Sequence, residues 1–346
     1  MLKFPTVFVT GGAGYVGAVL VQKMLALGYR VKVLDLYTFG EDVFDGIADK
    51  SRLKEIKGDI CDEELLAKVL PGCDAVIHLA CISNDPTFEL NPDLSRKINF
   101  DAFEPLVKIS KNSGVKRFIY ASTCSVYGVS DADNVTEDHP LLPITDYNKY
   151  KGLCEPVLLK YQSPDFTTVI IRPATVCGYS PRQRLDLTVN ILTNHAYHNN
   201  KIRVFGGDQE RPNIHIDDIT DLYLKLLELP EEKIAGRTYN AGYQNQKVGD
   251  IARIIQSVFK QEFPDRPEPE IVKEPSDDIR SYRISSEKIK RELGFVPAKT
   301  IEDAVRDLIC AFKAGKLPES LTDEKYFNIR LLKKLDVDEI YSRVRF

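Results

Sequence analysis

An apolar run, Val7-Phe8-Val9, leads directly into Thr10-Gly11-Gly12-Ala13-Gly14-Tyr15-Val16-Gly17, after which Val19, Leu20, Met24 and Leu27 recur at helical spacing. A strand that turns into a helix through glycines at 11, 14 and 17 leaves few folds open to the chain. Gly11 permits the tight turn, Gly14 lets backbone approach a ligand, and Gly17 lets the helix pack against the strand. The helix amino terminus then offers unpaired N–H groups and the positive end of its dipole to a phosphate. Strand before and helix after are both present, so this is the fingerprint of a dinucleotide site, with the diphosphate resting on Gly11, Gly14, Tyr15, Val16 and Gly17.

Asp35 follows the second apolar run, eighteen positions beyond Gly17. A carboxylate there can accept both ribose hydroxyls of the adenosine half and repel a 2′-phosphate, which favours NAD over NADP. No arginine or lysine directly follows it. The plainer alternative is an aspartate that caps a turn at a strand end.

Short β-branched runs at 6–9, 30–34, 52–56, 75–78, 117–121 and 167–171 alternate with helical patterns. This rhythm predicts βαβ units and an α/β fold: a doubly wound, Rossmann-type parallel sheet with a smaller, mixed C-terminal substrate domain. Right-handed crossovers put every strand's carboxyl end on one edge, where a ligand lies at the reversal of strand order. Beyond Pro173 the rhythm loosens into loops at 177–184, 205–212 and 264–275, while 217–229 reads as a helix and 238–241 as a strand that returns to the sheet. The expected division is 1–172 with 213–242 for NAD, 173–212 with 243–316 for substrate, and 317–346 as a C-terminal extension, helical near 329–335.

Forty-seven basic against fifty-one acidic residues, with no basic run to track a phosphate backbone, argue against nucleic acid as a partner. No apolar stretch approaches the roughly 18 residues of a membrane span, and the first ten residues read as a strand without a cleavable signal pattern. Seven cysteines form no CxxC pair and no Cys/His cluster, so reduced thiols, no metal and a cytoplasmic location are expected.

Tyr147 and Lys151 stand four residues apart, hence on one helical face. A phenol titrating near ~10 is a poor base at neutral pH; an ammonium beside it and the positive charge of a nicotinamide favour the phenolate and bring it into range to take a hydroxyl proton. The same spacing recurs at Tyr197 and Tyr243. Only Tyr147 follows the exit of the fifth strand, Tyr120-Ala121-Ser122-Thr123, at the sheet edge where the nicotinamide belongs. Thr123 can hydrogen-bond the reacting oxygen.

Taken together, Gly11/Gly14/Gly17, Asp35, Thr123, Tyr147 and Lys151 resemble the extended short-chain dehydrogenase/reductase family, in its nucleotide-sugar epimerase and dehydratase branch. Further matches over about residues 1–315 are Gly58-Asp59-Ile60, His78-Leu79-Ala80, Asn99, Ser125-Val126-Tyr127-Gly128, Arg172-Pro173, the run from Arg211 to Asp218, and Leu293-Gly294-Phe295-Val296-Pro297. The resemblance implies cofactor contacts at Asp59, Ile60, Leu79, Ala80, Asn99 and Pro173. It also implies a homodimer paired through helices at 94–113 and 147–161. The reaction implied is oxidation of a sugar hydroxyl, usually at C4, with hydride passing to tightly held NAD and the proton to Tyr147.

Departures from the branch narrow the chemistry. Its dehydratases follow the catalytic threonine with Asp-Glu, the acid and base of C6 elimination; here Cys124 and Ser125 stand there. Decarboxylating relatives place a glutamate where Ser125 stands. A C4 epimerase needs no second acid–base pair, although Thr175 and Ser83 replace the asparagine and lysine often found in that branch. Cys124 could otherwise act on the carbons beside the ketone. Candidate substrate residues are therefore Ser83, Cys124, Ser125, Thr175, Arg182, Arg184, Asn190, Arg211 and Arg280, the arginines as guanidinium forks for a diphosphate. The leading expectation is an NAD-dependent nucleotide-sugar 4-epimerase. Net 4-dehydrogenation or 4-ketoreduction comes next, then 4,6-dehydration, and last a non-catalytic NAD-binding protein.

Overall fold

The apolar runs fold as strands of one sheet in a computed structural model that describes residues 2–130, 132, 134–276 and 281–335. These are β1 (Thr6–Thr10), β2 (Arg30–Asp35), β3 (Leu53–Lys57), β4 (Ala75–His78), β5 (Arg117–Ala121) and β6 (Thr167–Pro173). The later strands are β7 (Thr175–Cys177), β8 (Lys201–Phe205), β9 (Glu210–His215), β10 (Arg237–Ala241), β11 (Gln244–Lys247) and β12 (Glu270–Glu274). The large sheet is parallel in the order β10-β6-β5-β4-β1-β2-β3, so β10 returns to pair with β6 as its sequence suggested. Two small sheets, β11-β9-β7 and β12-β8, lie outside it.

Strand β1 shows why the sheet is buried on both faces. Val7 and Val9 enter one apolar layer, with Ala18 and Val21 of the Tyr15–Ala26 helix and Leu222 of the Ile216–Glu228 helix. Phe8 enters the other, with Leu106 of the Phe103–Asn112 helix and Leu158 of the Asp146–Leu159 helix. Alternate side chains point to opposite faces, so a strand covered on both sides must be apolar throughout. A third apolar cluster joins the Thr188–Asn199, Val248–Glu262 and Ile301–Lys313 helices.

Two of the expected loops contain strand. Sheet pairing extends to Glu210, and Glu270–Glu274 pairs in parallel with β8. Pro269 and Pro275 frame the latter segment and make it read as loop, but neither lies within it, so its backbone is free to pair. The described residues include no helix long and apolar enough to cross a membrane.

A buried polar cluster fixes the Asp146–Leu159 helix against β5 and β6. Arg172 donates from Nε to Glu155 Oε1 at 2.9 Å and from Nη2 to Oε2 at 2.6 Å. Ser122 donates to the same carboxylate at 2.7 Å. Arg172 Nη1 donates to the Tyr127 hydroxyl at 2.6 Å, which donates to Asn240 of β10 at 2.7 Å. Two parallel N–H···O bonds hold the ion pair in one orientation. Breaking such a pair strands a buried charge. Glu155→Ala is therefore expected to lower unfolding free energy by about 3–5 kcal/mol in urea melts, and the double change Glu155→Leu/Arg172→Met by clearly less.

Candidate active site

The reversal of strand order falls between β1 and β4, and a cavity of about 460 Å³ opens at their carboxyl ends. At one end is the glycine turn. Gly11 has φ +70°, and a Cβ on it would sit 2.6 Å from the Ala80 nitrogen. A Cβ on Gly17 would meet the Gly11 carbonyl oxygen at 2.4 Å. Only bare backbone allows β1, the exit of β4 and the helix start to touch.

The helix begins at Gly14 with no side-chain cap and no acidic residue in its first turn, so the cavity receives its open N–H groups. Asp35 lines the same end, accepting the Ala13 N–H at 3.0 Å and the Tyr37 N–H at 2.9 Å. Burial pushes its carboxyl up, while those N–H groups and the Arg182 guanidinium pull it down. Each carboxylate oxygen keeps acceptor capacity for a ribose hydroxyl. An uncapped helix start, a backbone cradle and a carboxylate in sequence fit a dinucleotide.

Tyr15, Val16, Asp59, Ile60, Leu79, Ala80 and Pro173 also line the cavity. The Tyr15 side chain, though, is turned into the protein and donates to the Gly178 carbonyl at 2.7 Å. Asn99 stands behind the wall, its amide bonded to both the N–H and the carbonyl of Ile82 at 2.8 and 2.9 Å. It shapes the loop after β4 rather than facing the cavity. A π-helical turn at Lys97–Asp101 presents it there.

At the other end Thr123 leaves β5 and caps the short turn Cys124–Tyr127, its Oγ1 accepting the Ser125 N–H at 3.2 Å and lying 2.8 Å from Ser125 Oγ. Ser125 Oγ donates onward to Asn148. Tyr147 and Lys151 project from the first turns of the Asp146–Leu159 helix, whose Thr145 cap donates to Asp85 Oδ1 at 2.5 Å. Lys151 donates to the Ala121 carbonyl and lies 4.6 Å from the centre of the Tyr120 ring.

Desolvation pushes the Tyr147 phenol well above its usual range; Cys81 and Asp85 push the same way, and Arg184 opposes them. Arg184, which the sequence reading assigned to substrate, thus also draws on this phenol. A positive nicotinamide would add to the pull of Arg184. Burial holds the Cys124 thiol up at about 12, against the opposing hydrogen bond with the Tyr282 hydroxyl. His78, pressed down to about 3 by burial, bonds Thr10 at 2.7 Å.

Ser83, Cys124, Ser125, Thr175, Arg182, Arg184 and Arg211 all line the cavity. Asn190 does not: its amide is bonded to the Tyr15 hydroxyl at 3.0 Å, to the Arg184 carbonyl at 2.9 Å and to the Gly178 N–H at 3.1 Å. It is fully buried and braces the loop that carries the arginines. Arg280 lies outside the described residues. Of the other tyrosines with a lysine four residues on, Tyr197 stacks on Phe312 and Tyr243 is exposed.

The sequence reading missed Cys81, Asp85, Tyr282, Asn328 and Leu332, all of which line the cavity. Cys81 and Asp85 follow β4, and strand-exit position alone could have singled them out. Nothing in sequence marks Asn328 or Leu332, which come from the C-terminal extension.

A family model described as the NAD dependent epimerase/dehydratase family matches residues 7–242, and the chain belongs to that family of enzymes. It is 26% identical over 320 residues to a dTDP-glucose 4,6-dehydratase of Streptomyces niveus, covering 88% of this chain and 91% of the relative. It is also 26% identical over 331 residues to the UDP-glucose 4-epimerase of Bacillus subtilis, covering 87% and 95%. The UDP-glucuronic acid 4-epimerase of Bacillus cereus, solved with UDP-glucuronic acid and NAD, matches with a TM-score of 0.79 at 25% identity, over 89% of this chain and 99% of its own.

The charges around Tyr147 set a titration. Removing the negative charge of Asp85 lowers the phenol pKa, and removing the positive charge of Arg184 raises it. Carbon-13 NMR of ring-labelled tyrosine should show Tyr147 ionising at lower pH in Asp85→Asn and at higher pH in Arg184→Gln. Movement in the opposite sense would contradict this electrostatic assignment.

Proposed function

We propose that this member of the NAD-dependent epimerase/dehydratase family is a nucleotide-sugar 4-epimerase that works through a transient 4-keto sugar. The observation that carries the reading is the pair of residues after Thr123. Cys124 is a buried, protonated thiol, and the Ser125 hydroxyl is committed to Thr123 and Asn148. Neither offers the acid and base that elimination at C6 requires. Relatives of both kinds stand at the same 26% identity, so overall similarity does not choose between the two chemistries.

Epimerisation asks less of the protein. Tyr147, as phenolate, takes the proton from the C4 hydroxyl and later returns it to the oxygen of the ketone. Thr123 Oγ1 stands at the β5 exit to hydrogen-bond that oxygen in both states. Arg184 favours the phenolate. NAD, held by the Gly11–Gly14–Gly17 turn and Asp35, supplies the hydride acceptor and donor. Between the two transfers the flat ketone turns its other face, and Thr175 and Ser125 line the space in which it turns. Arg184 and Arg211 are placed to clasp the substrate diphosphate. We further read the active form as a homodimer joined through the Phe103–Asn112 and Asp146–Leu159 helices, the latter exposing Leu153.

The test is a panel of UDP- and dTDP-hexoses followed by proton NMR with only catalytic NAD present. C4 epimers should form without accumulation of NADH. A 4-keto-6-deoxy product, or NADH in proportion to turnover, would replace this reading by dehydration or net oxidation. Tyr147→Phe should lower turnover by roughly 10²- to 10⁴-fold while the protein still binds NAD.

A further inference from the structure

The two arginines of the 178–184 loop lie two residues apart yet stand in different surroundings. Arg184 is paired: Nε donates to Asp186 at 2.9 Å and Nη1 to Ser83 at 3.2 Å, and it lies within the field of Tyr147. Arg182 is 5% exposed and faces no carboxylate within ion-pair distance among the described residues. Its guanidinium lies 3.9 Å from the centre of the Phe39 ring, past the end of β2, within the field of Arg184 and Asp186 and, more weakly, of Asp35 and Tyr15. Its Nε and Nη1 have no hydrogen-bond partner. Only Nη2 is bonded, at 2.6 Å, to Oδ1 of Asn328.

Asn328 comes from the C-terminal extension, which is seated firmly. Tyr326, Phe327 and Leu317 pack with Leu185 and Phe312. The Tyr326 carbonyl accepts the Leu185 N–H at 2.8 Å, and Ser320 donates to Asn194 at 2.6 Å. From this seat the Asn328 side chain also donates to Ser83 at 2.9 Å, and its backbone N–H donates to Asp186 at 3.0 Å. One residue therefore braces the loop after β4 and the loop after β7 across the mouth of the cavity, and Leu332 lines that mouth one turn on.

A buried guanidinium with two open donors, beside a second cation, is costly unless an anion meets it. Of the groups that a dinucleotide would meet, Asp35 and Tyr15 beside the glycine turn lie within the field of Arg182. We propose that Arg182 binds the dinucleotide's diphosphate rather than the substrate's, and that Asn328 is the positioning residue by which the C-terminal segment clamps it there. The segment thereby keeps the dinucleotide bound through a cycle that ends with it in its starting redox state. This inference rests on the NAD site in the proposed function and not on which sugar reacts.

Calorimetry on the full chain tests it with three probes: ADP-ribose for the dinucleotide diphosphate, adenosine for the nucleoside alone, and UDP at saturating NAD for the substrate diphosphate. Arg182→Gln should weaken ADP-ribose roughly 10- to 100-fold, as the loss of charge-assisted bonds implies. It should change adenosine and UDP less than about threefold by the same reckoning. Asn328→Asp separates clamp from scaffold. The aspartate keeps an acceptor for Arg182 but neutralises it, so ADP-ribose should weaken at least as much as in Asn328→Ala while the ligand-free melting temperature stays at or above the wild-type value. A purely structural asparagine predicts the reverse order. ADP-ribose affinity unchanged in Arg182→Gln, or UDP weakened in its place, overturns the proposal. Loss of ADP-ribose binding in a protein that does not epimerise any sugar would instead sink the proposed function and leave this inference standing.

Discussion

Backbone contact at the end of β1 is the constraint on which the rest is built. Gly11 lies against the exit of β4, and Gly17 against Gly11 itself, at separations that no side chain tolerates. Because the neighbours to be touched are backbone, they cannot move aside as a flexible side chain would. The strand exits and the helix start are therefore held in one arrangement. Placed at the reversal of strand order, that arrangement leaves a crevice with open N–H groups at its floor, which is a site for phosphate before any charged side chain is considered.

Burial at the far end of the cavity keeps groups neutral. The Tyr147 phenol and the Cys124 thiol both sit where burial disfavours their charged forms. For Cys124 that makes an inert wall. For Tyr147 it makes a phenol whose ionisation depends on nearby positive charge such as that of Arg184. In the proposed epimerisation such a group would take a proton only when its partners are assembled.

The cavity also shows how a polar site is completed by distant chain. Ser83, Arg182, Arg184, Asp186 and Asn328 form one bonded set drawn from three segments. The Arg172–Glu155 pair does the same for the Asp146–Leu159 helix and the two strands beneath it. Buried polar groups need partners of particular geometry, so such clusters lock loops that apolar packing alone would leave less defined.

Much of this was legible in sequence, for a physical reason. Apolar runs and helical repeats report which face of each element is buried, and six strands read from them match the observed ones to within two residues at either end. The glycine spacing carries the phosphate site because its cause is local backbone geometry. Asn99 and Asn190 were recognisable as important polar residues, but their direction was not: both face the protein, one holding Ile82 and the other Tyr15. β12 was hidden between prolines, since strand pairing depends on a partner far away in the chain. The sequence by itself determined the strand segments, the cradle and the tyrosine–lysine helix, all products of neighbours in the chain. Only the tertiary structure decided that Asn328 reaches back to bond Arg182, because burial and partnership between segments some 150 residues apart leave no periodic trace.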